Sequence, residues 1–440
     1  MPGKAVFIET SKESANPFEF LRDVTRSQGD AVQYSSPFGK IYLLNHPDYI
    51  RQVFQSPQFH RTSMVTIVLG EGLLASDGAG WKTQRKRVAP FFNRASIAKI
   101  EPAIRTSTRT MLERWESIAD SGDELDVAAE MTELTLTIIV DALFGVDLSR
   151  QLHPLGEALD VLLNDLGAMG CTQFNTPLVF SSADRSRFHQ ALTTLNRIVA
   201  DIIDKGRRGN SDPDNLLSFL LETEDEDTGL PLTDVQLRDE IVTLMIAGHE
   251  TTSLIISWAF SLLAANPICE GRLHHELDQI LGERLPDIDD LNNLPYTLMT
   301  LQESMRLYPP VWFIARKTLY AGRVGNLQLP ENVLVMVSPY AMHRHRDYWQ
   351  NPEDFDPSRF AVGNHMPKYS YIPFGGGHHL CLGMNLALVE GQLILASIAK
   401  RFSVRPSAGR VIEPAPAITL RQRDGLFATL ERRRPGSAAA

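Results

Sequence analysis

The chain has 440 residues, 43% of them hydrophobic and 22% charged, with 29 glycines and 26 prolines. Those proportions belong to a globular protein and exclude a disordered, collagen-like or disulfide-scaffold chain. Its 43 Lys and Arg face 53 Asp and Glu, and a net charge of −10 argues against general binding to nucleic acid or to an anionic membrane. Three cysteines occur, Cys171, Cys269 and Cys381. An odd, widely spaced set reads as reduced thiols in a cytoplasmic protein.

In chain order, the N-terminus scatters Lys4, Glu9, Lys12, Glu13, Glu19 and Arg22 too densely for the apolar core of a signal peptide. No stretch of ~20 apolar residues follows, so no membrane association is expected. Residues 39–46 (GKIYLLNH) read as a strand, and a helix is expected from 46 to about 55. Helical spacing dominates 81–281 and is clearest through 125–146, 186–204 and 235–265. The acidic run 222–227, followed by Thr228-Gly229, reads as a solvated connector. After Pro309-Pro310 the short runs VWFIARKTL and NVLVMVSPY predict strands. Another helix is expected from about 382 to 401 and a last strand over 426–433. Residues 1–20 and 433–440 read as flexible ends. No Pro/Gly/Ser linker divides the chain, which predicts one domain over 1–440, mainly α with small β-sheets.

The segment Tyr371-Ile-Pro-Phe-Gly-Gly-Gly-His-His-Leu-Cys-Leu-Gly383 crowds three glycines, Phe374 and Cys381 ahead of an apolar helix. A cysteine just before a helix start meets backbone N–H donors and the positive dipole end, which favour thiolate. Glycines let backbone pass close to a flat ligand. A thiolate ligand to iron suits such a loop. So, for a lone cysteine, does a buried structural thiol in a Gly-rich turn. A zinc site of His378, His379 and Cys381 is a third reading, with ligand spacing too tight and no second Cys/His pair nearby. His274-His275-Glu276 also lacks the spacing of a zinc helix.

Three further patterns accompany it. Ala247-Gly-His-Glu-Thr-Thr252 interrupts an apolar helix. A buried Glu250 is costly without a partner, and the Thr251 hydroxyl can bond back to the Ala247 carbonyl and open the helix locally. An acid beside an alcohol in such a groove suits proton delivery, although a polar patch in a core helix looks the same. Glu303 and Arg306 are spaced i,i+3 on one helix face, a weak signal alone. Asp356-Pro-Ser-Arg-Phe360 offers Arg359 as a second cation for Glu303.

In this order the patterns resemble the cytochrome P-450 superfamily of haem-thiolate monooxygenases. That family's haem loop reads Phe-x-x-Gly-x-Arg-x-Cys-x-Gly. Phe374, Gly377, Cys381 and Gly383 match it, with His379 where Arg is usual. Ala247, Gly248, Glu250, Thr251 and Thr252 are similar to its oxygen-activation motif, and Glu303, Arg306 and Arg359 to its structural triad. Trp81-Lys-Thr-Gln-Arg85 resembles the helix pattern whose Trp and Arg meet a haem propionate, and Arg316 a second propionate ligand. The resemblance spans about 35–430 and implies haem b buried between the long central helix and the Cys-loop helix.

By resemblance, Cys381 is the metal ligand and Glu250 and Thr251 organise protons. Trp81, Arg85, Ala247, Arg316, Phe374, His379 and Gly383 border the cofactor. One oxygen atom of O2 would enter a C–H or C=C bond of a hydrophobic small molecule of the secondary-metabolite kind. Electrons would come from NAD(P)H through a ferredoxin or flavodoxin-type donor and its reductase, because few residues follow Cys381. Lys82 and Lys86 would form its basic docking patch. The pocket wall is expected at 64–69, 167–177, 311–314 and 415–419, including Met64, Ile67, Val311, Phe313 and Ile418. A peroxide-using or rearranging haem-thiolate enzyme, and a non-catalytic haem sensor, share the Cys loop. The Glu250-Thr251 pair favours the oxygenase.

Overall fold

The computed structural model describes residues 6–7, 16–27, 29–36, 39–62, 65–171, 181–209, 215–225 and 229–433. The first helices are α1 (Pro17–Ser27), α2 (Pro47–Gln55), α3 (Thr66–Leu69), α4 (Gly78–Val88), α5 (Arg94–Ser121) and α6 (Val127–Ile139). Next come α7 (Leu152–Cys171), α8 (Ser182–Arg207), α9 (Leu216–Glu222), α10 (Asp234–Ala265), α11 (Pro267–Leu281) and α12 (Pro295–Leu307). α13 (Pro339–Met342) and α14 (Met384–Arg401) complete them. Cap chemistry starts several: the Asp77, Asn93 and Asp126 side chains accept first-turn N–H groups of α4, α5 and α6. Ser181 and Thr233 close capping boxes on α8 and α10.

The strands are short. They are β1 (Val6–Phe7), β2 (Ala31–Ser36), β3 (Gly39–Leu44), β4 (Phe59–Arg61), β5 (Leu125–Asp126) and β6 (Ile314–Thr318). β7 (Gly322–Val324), β8 (Leu327–Leu329), β9 (Leu334–Val337), β10 (Phe402–Pro406), β11 (Pro414–Pro416), β12 (Leu420–Gln422) and β13 (Phe427–Arg432) follow. The largest sheet runs β1-β2-β3-β9-β6-β4, and β11 and β12 form a separate antiparallel hairpin.

α10 is the axis of the helical part, about 48 Å long at 1.5 Å per residue. It packs against α6, α8, α12 and α14. Gly248 makes the α6 crossing possible, because a Cβ there would lie 2.7 Å from Ile139 Cδ1. Among the described residues α10 alone is apolar and long enough to cross a membrane, yet 83% of its most apolar window is buried inside the fold. It is a core helix.

Several boundaries differ from the sequence reading. β2 is added before the expected strand, and His46 caps α2 rather than entering it, its Nδ1 accepting from Asp48 N at 3.1 Å. Helical spacing over 125–146 divides into α6 and a π turn, Val140–Phe144. α10 runs unbroken through 247–252, so the Thr251 back-bond does not open it. Glu222 ends α9, and part of the acidic connector lies outside the described residues. The N-terminal stretch expected to be loose is anchored in part. Val6 and Phe7 pair with Val32 and Gln33, and Phe18 in α1 is buried against Trp312, with ring centroids 5.0 Å apart. At the other end Arg433 Nη2 meets Asp278 Oδ2 at 3.0 Å, while 434–440 lie outside the described residues.

The Glu303–Arg306 pair is fully buried. Arg306 Nε and Nη2 grip both carboxylate oxygens at 2.6 and 2.7 Å, and Arg359 Nε donates to Oε1 at 3.2 Å. The remaining guanidinium hydrogens go to backbone: Arg306 to His343, Pro352 and Asp354 carbonyls, Arg359 to those of Gln350 and Asn351. Burial lowers the Arg306 pKa while Glu303 opposes that shift. Removing either partner strands a charge at zero exposure, so Glu303→Ala or Arg306→Ala should cost about 3–5 kcal/mol. Chemical denaturation of the purified variants checks this. A variant within about 1 kcal/mol of the parent would contradict a buried, fully satisfied pair.

Candidate active site

Cys381 stands at the end of a loop held by its own backbone. Gly375 N donates to Ile372 O at 3.0 Å and Cys381 N to Phe374 O at 3.0 Å. Gly377 has φ +65°, and a Cβ there would fall 2.0 Å from Phe54 O, so only glycine fits between this loop and α2. Cys381 precedes Gly383, the cap of α14, where the Gly383 and Met384 N–H groups favour its thiolate. Burial pushes the thiol pKa up, against those N–H groups and Arg85. The residue as a whole is nonetheless exposed. On α10, Ala247 is likewise exposed although Ile241–Ile246 before it and His249-Glu250 after it are buried. Exposure of Ala247 within this buried run marks open space beside α10. Thr251 Oγ1 donates to Ala247 O at 2.8 Å, which leaves its oxygen lone pairs available, and the residue is half-buried.

The residues expected at one edge of a cofactor come together. Trp81 on α4 packs on His379, ring centroids 4.2 Å apart, and Arg85 Cζ lies 5.5 Å from the Trp81 ring. Arg316 on β6 is buried, its Nη1 donating to Ala315 O at 2.9 Å. Arg61 joins them from β4, in direct register with Arg316 across the β4–β6 pair. Its Nη1 donates to the Leu73 and Leu74 carbonyls at 2.7 and 3.0 Å. Asp77 is the carboxylate among these groups: His379 Nε2 approaches its Oδ1 at 3.3 Å and Arg61 N donates to its Oδ2 at 2.7 Å. Burial, then mutual repulsion, pulls the Arg61 pKa down to about 10, and burial takes Arg316 to about 10. Burial and the arginines take His379 down to about 4.

Arg61, Arg85 and Arg316 against Asp77 leave positive charge unbalanced in a partly dry site. Two buried nitrogens there, Trp81 Nε1 and His379 Nδ1, have no partner among the described residues. An anionic ligand edge fits this surplus, and an indole N–H is a donor for it. His379 differs from the expected donor. Neutral, with Nε2–H given to Asp77, its Nδ1 is an acceptor. The propionates of a haem fit Trp81 and the three arginines, and a cation at Cys381 would reverse the burial effect that favours the neutral thiol. Phe374 and Gly383 are half-buried beside the sulfur.

Glu250 is 3% exposed and ion-paired: its Oε1 accepts from Arg421 Nε at 2.6 Å and from Thr419 Oγ1 at 2.8 Å. Of the expected pocket wall, Ile67 and Val311 are exposed, and Phe313 and Ile418 half-buried. Met64 and 172–177 lie outside the described residues. Gly167 presses on the hairpin: a Cβ there would lie 2.5 Å from Ile418 N. Trp312 Nε1 donates to Ala417 O at 2.9 Å, which brings the 311–314 and 415–419 segments together. Sequence reading missed Arg61, Asp77 and Arg421. The Asp77 cap was readable from Asp-Gly before a helix. The two arginines meet their partners only through pairing distant in sequence.

Comparison with known proteins agrees with this architecture. The cytochrome P-450 family model matches residues 3–426. Cyclooctatin synthase of Streptomyces melanosporofaciens is 32% identical over 415 residues, 92% of this chain and 89% of that protein. Cyclooctat-9-en-7-ol 5-monooxygenase of the same organism is 32% identical over 404 residues, covering 90% and 87%. Pentalenene oxygenase of Streptomyces avermitilis is 27% identical over 428 residues, covering 96% and 94%. The crystal structure of a mutant cytochrome P-450 haem domain superposes with a TM-score of 0.83 at 23% identity, over 96% of this chain and 94% of that one. A match of this extent, on a mainly helical fold with small sheets, identifies the chain as a member of the cytochrome P-450 family and an oxidoreductase of the monooxygenase type.

Proposed function

We propose that this monooxygenase acts on a hydrophobic cyclic metabolite of the terpenoid kind, with Cys381 as iron ligand and Thr251 as the group that handles protons in the cleft. The observation that carries the reading is the exposure of Ala247 on an otherwise buried stretch of α10, with the Thr251 hydroxyl one turn away and bonded to its carbonyl. Apolar Ile67, Val311, Phe313 and Ile418 support a hydrophobic substrate, as do the names of the relatives that oxidise cyclooctat-9-en-7-ol and pentalenene. Bound haem with a thiolate ligand supplies the activation of O2, one atom entering the substrate and the other leaving as water.

The chain's own residues do the rest. Cys381 would bind the iron, with the Gly383 and Met384 N–H groups stabilising negative charge on its sulfur. Trp81, Arg61, Arg85 and Arg316 would hold the propionates of the haem. Phe374 and Gly383 would shield the sulfur, and Ala247, having almost no side chain, would leave room beside Thr251. Thr251 commits its proton to Ala247 O, so Oγ1 accepts a hydrogen bond from the water that brings a proton inward. Glu250 sits behind it as the fixed charge. Exposed Lys82 and Lys86, on the helix that carries Trp81 and Arg85, support docking of a separate acidic electron donor.

Two substitutions test these roles. Cys381→Ser should abolish the red-shifted carbonyl band of the reduced, CO-treated protein, and monooxygenation with it. Retention of that band would move the ligand assignment elsewhere. Thr251→Ala, assayed with pentalenene and a surrogate ferredoxin and reductase, should keep consuming NADPH while product per NADPH falls on the order of 100-fold, the low end for a positioned proton transfer. Hydrogen peroxide should rise to match. Thr252→Ala is the control, because Thr252 is rotated about 100° round the helix and is buried. A well-coupled Thr251→Ala enzyme would withdraw the assignment.

A further inference from the structure

A carboxylate at 3% exposure in the middle of α10 needs a counter-charge, and Glu250 receives it from the far end of the chain. On β12 the Nε and Nη2 edge of Arg421 faces Glu250 Oε1, at 2.6 and 2.5 Å, and the Thr419 hydroxyl donates to the same oxygen. The other corner of that guanidinium points away. Arg421 Nη1 donates to Asn164 Oδ1 at 3.0 Å and to the Asp160 carboxylate, both on α7. Asp160 and Asn164 are one helical turn apart, and Asn164 Nδ2 donates to Asp160 Oδ2 at 3.1 Å. Further along α7, Gly167 packs directly on Ala417 and Ile418. The β11–β12 hairpin therefore meets α7 twice, at the pocket wall and at Arg421.

Burial lowers the Arg421 pKa, but the Glu250 and Asp160 carboxylates outweigh it and hold the group above its ordinary value. The planar fork matters as much as the charge. One edge serves α10 and one corner serves α7, whereas a lysine has a single nitrogen for both. Without this side chain Glu250 would lose its charged partner inside the core, and α7 would lose its polar tie to the helix that carries Thr251.

We propose that Arg421 is a positioning residue for oxygen activation: it fixes the Glu250 carboxylate behind Thr251 and links that position to the seating of α7 over the substrate cavity. The proposal rests on the reading that Glu250 supports proton handling at Thr251. It makes coupling of oxygen reduction to product formation depend on a residue that touches neither substrate nor cofactor.

The test uses haem-loaded protein carrying Arg421→Ala, Arg421→Lys, Glu250→Gln, or Arg421→Ala with Glu250→Gln. Pentalenene turnover gives product and hydrogen peroxide per NADPH. Hydrogen exchange of residues 152–171 gives the seating of α7 without any substrate. Arg421→Ala should lower product per NADPH by roughly tenfold, one order below the full contribution of a positioned proton-transfer group. It should also speed exchange in α7. Arg421→Lys should recover coupling, because a charge returns beside Glu250, yet keep the faster α7 exchange. The double variant should be no worse coupled than Glu250→Gln, the non-additivity expected of residues acting as a unit. If Glu250→Gln is uncoupled while Arg421→Ala keeps parental coupling, the proposal is overturned and the reading of Glu250 survives. If Glu250→Gln is itself fully coupled, the reading of Glu250 fails and takes the proposal with it. Should Arg421→Ala fail to retain haem, unchanged α7 exchange in Arg421→Lys overturns the link to α7.

Discussion

Glu303 carries its charge at zero exposure, and two arginines share the task of making that tolerable. Nearly everything near the cysteine loop is arranged around that solution. Because Arg306 and Arg359 spend their remaining hydrogens on carbonyls between His343 and Asp354, the irregular stretch 343–359 is pinned to α12 by charge-assisted bonds rather than by a ladder of its own. The pinning then passes to the loop. His343, kept neutral by burial that takes its pKa to about 3, donates from Nδ1 to Arg306 O at 3.2 Å and accepts Ile372 N–H on Nε2 at 2.8 Å. Ile372 O in turn receives Gly375 N, and Phe374 O receives Cys381 N. The Cys381 backbone is thus connected to the buried ion pair by a short run of hydrogen bonds.

What the sequence disclosed follows from how far apart the interacting residues lie. Glu303 and Arg306 are neighbours on one helix face, and Thr251 reaches Ala247 across one turn, so spacing alone exposes them. The Gly-rich loop before Cys381 is legible for the same reason: the residues that build it are consecutive. Arg61 was invisible because it acquires meaning only when β4 lies beside β6 and sets it against Arg316. Arg421 was invisible because its partner sits on α10. The Glu250-Thr251 pairing seen in the sequence was a true neighbourhood, but it hid a division of labour. Thr251 is half-buried and bonds back to Ala247 O, while Glu250 turns into an ion pair with the hairpin. Boundaries failed where local preference was overruled, as in the π turn that ends α6, where helical spacing continues without a regular helix.

The cationic edge shows a second constraint. Grouping Arg61, Arg85 and Arg316 around Asp77 is unfavourable for the protein by itself: burial lowers the pKa of Arg61 and Arg316, and at Arg61 the neighbouring arginines add to it. Such an arrangement is strain held by the surrounding packing until an anion relieves it, so ligand binding and stability are linked here by the same charges. His379 fits that account as a neutral spacer between Trp81 and Asp77. It occupies the place of an additional guanidinium and spares the site a further repulsion.

Besides the Arg421 and Thr419 side chains, the tip of the β11–β12 hairpin is held by its main chain. Two buried indoles, Trp258 and Trp312, donate to the Leu420 and Ala417 carbonyls at 2.9 Å, and Leu420 N donates to Pro310 O at 2.8 Å. Carbonyl and amide groups are the same whatever side chain they carry. The side chain at position 418 can therefore be exchanged without moving the hairpin that carries it, and the proposed pocket could change its lining there while keeping its frame. For directed evolution this separates two kinds of position: the tryptophans, whose loss would shift the whole wall, and the residue between their anchors, where new specificity is cheapest to find.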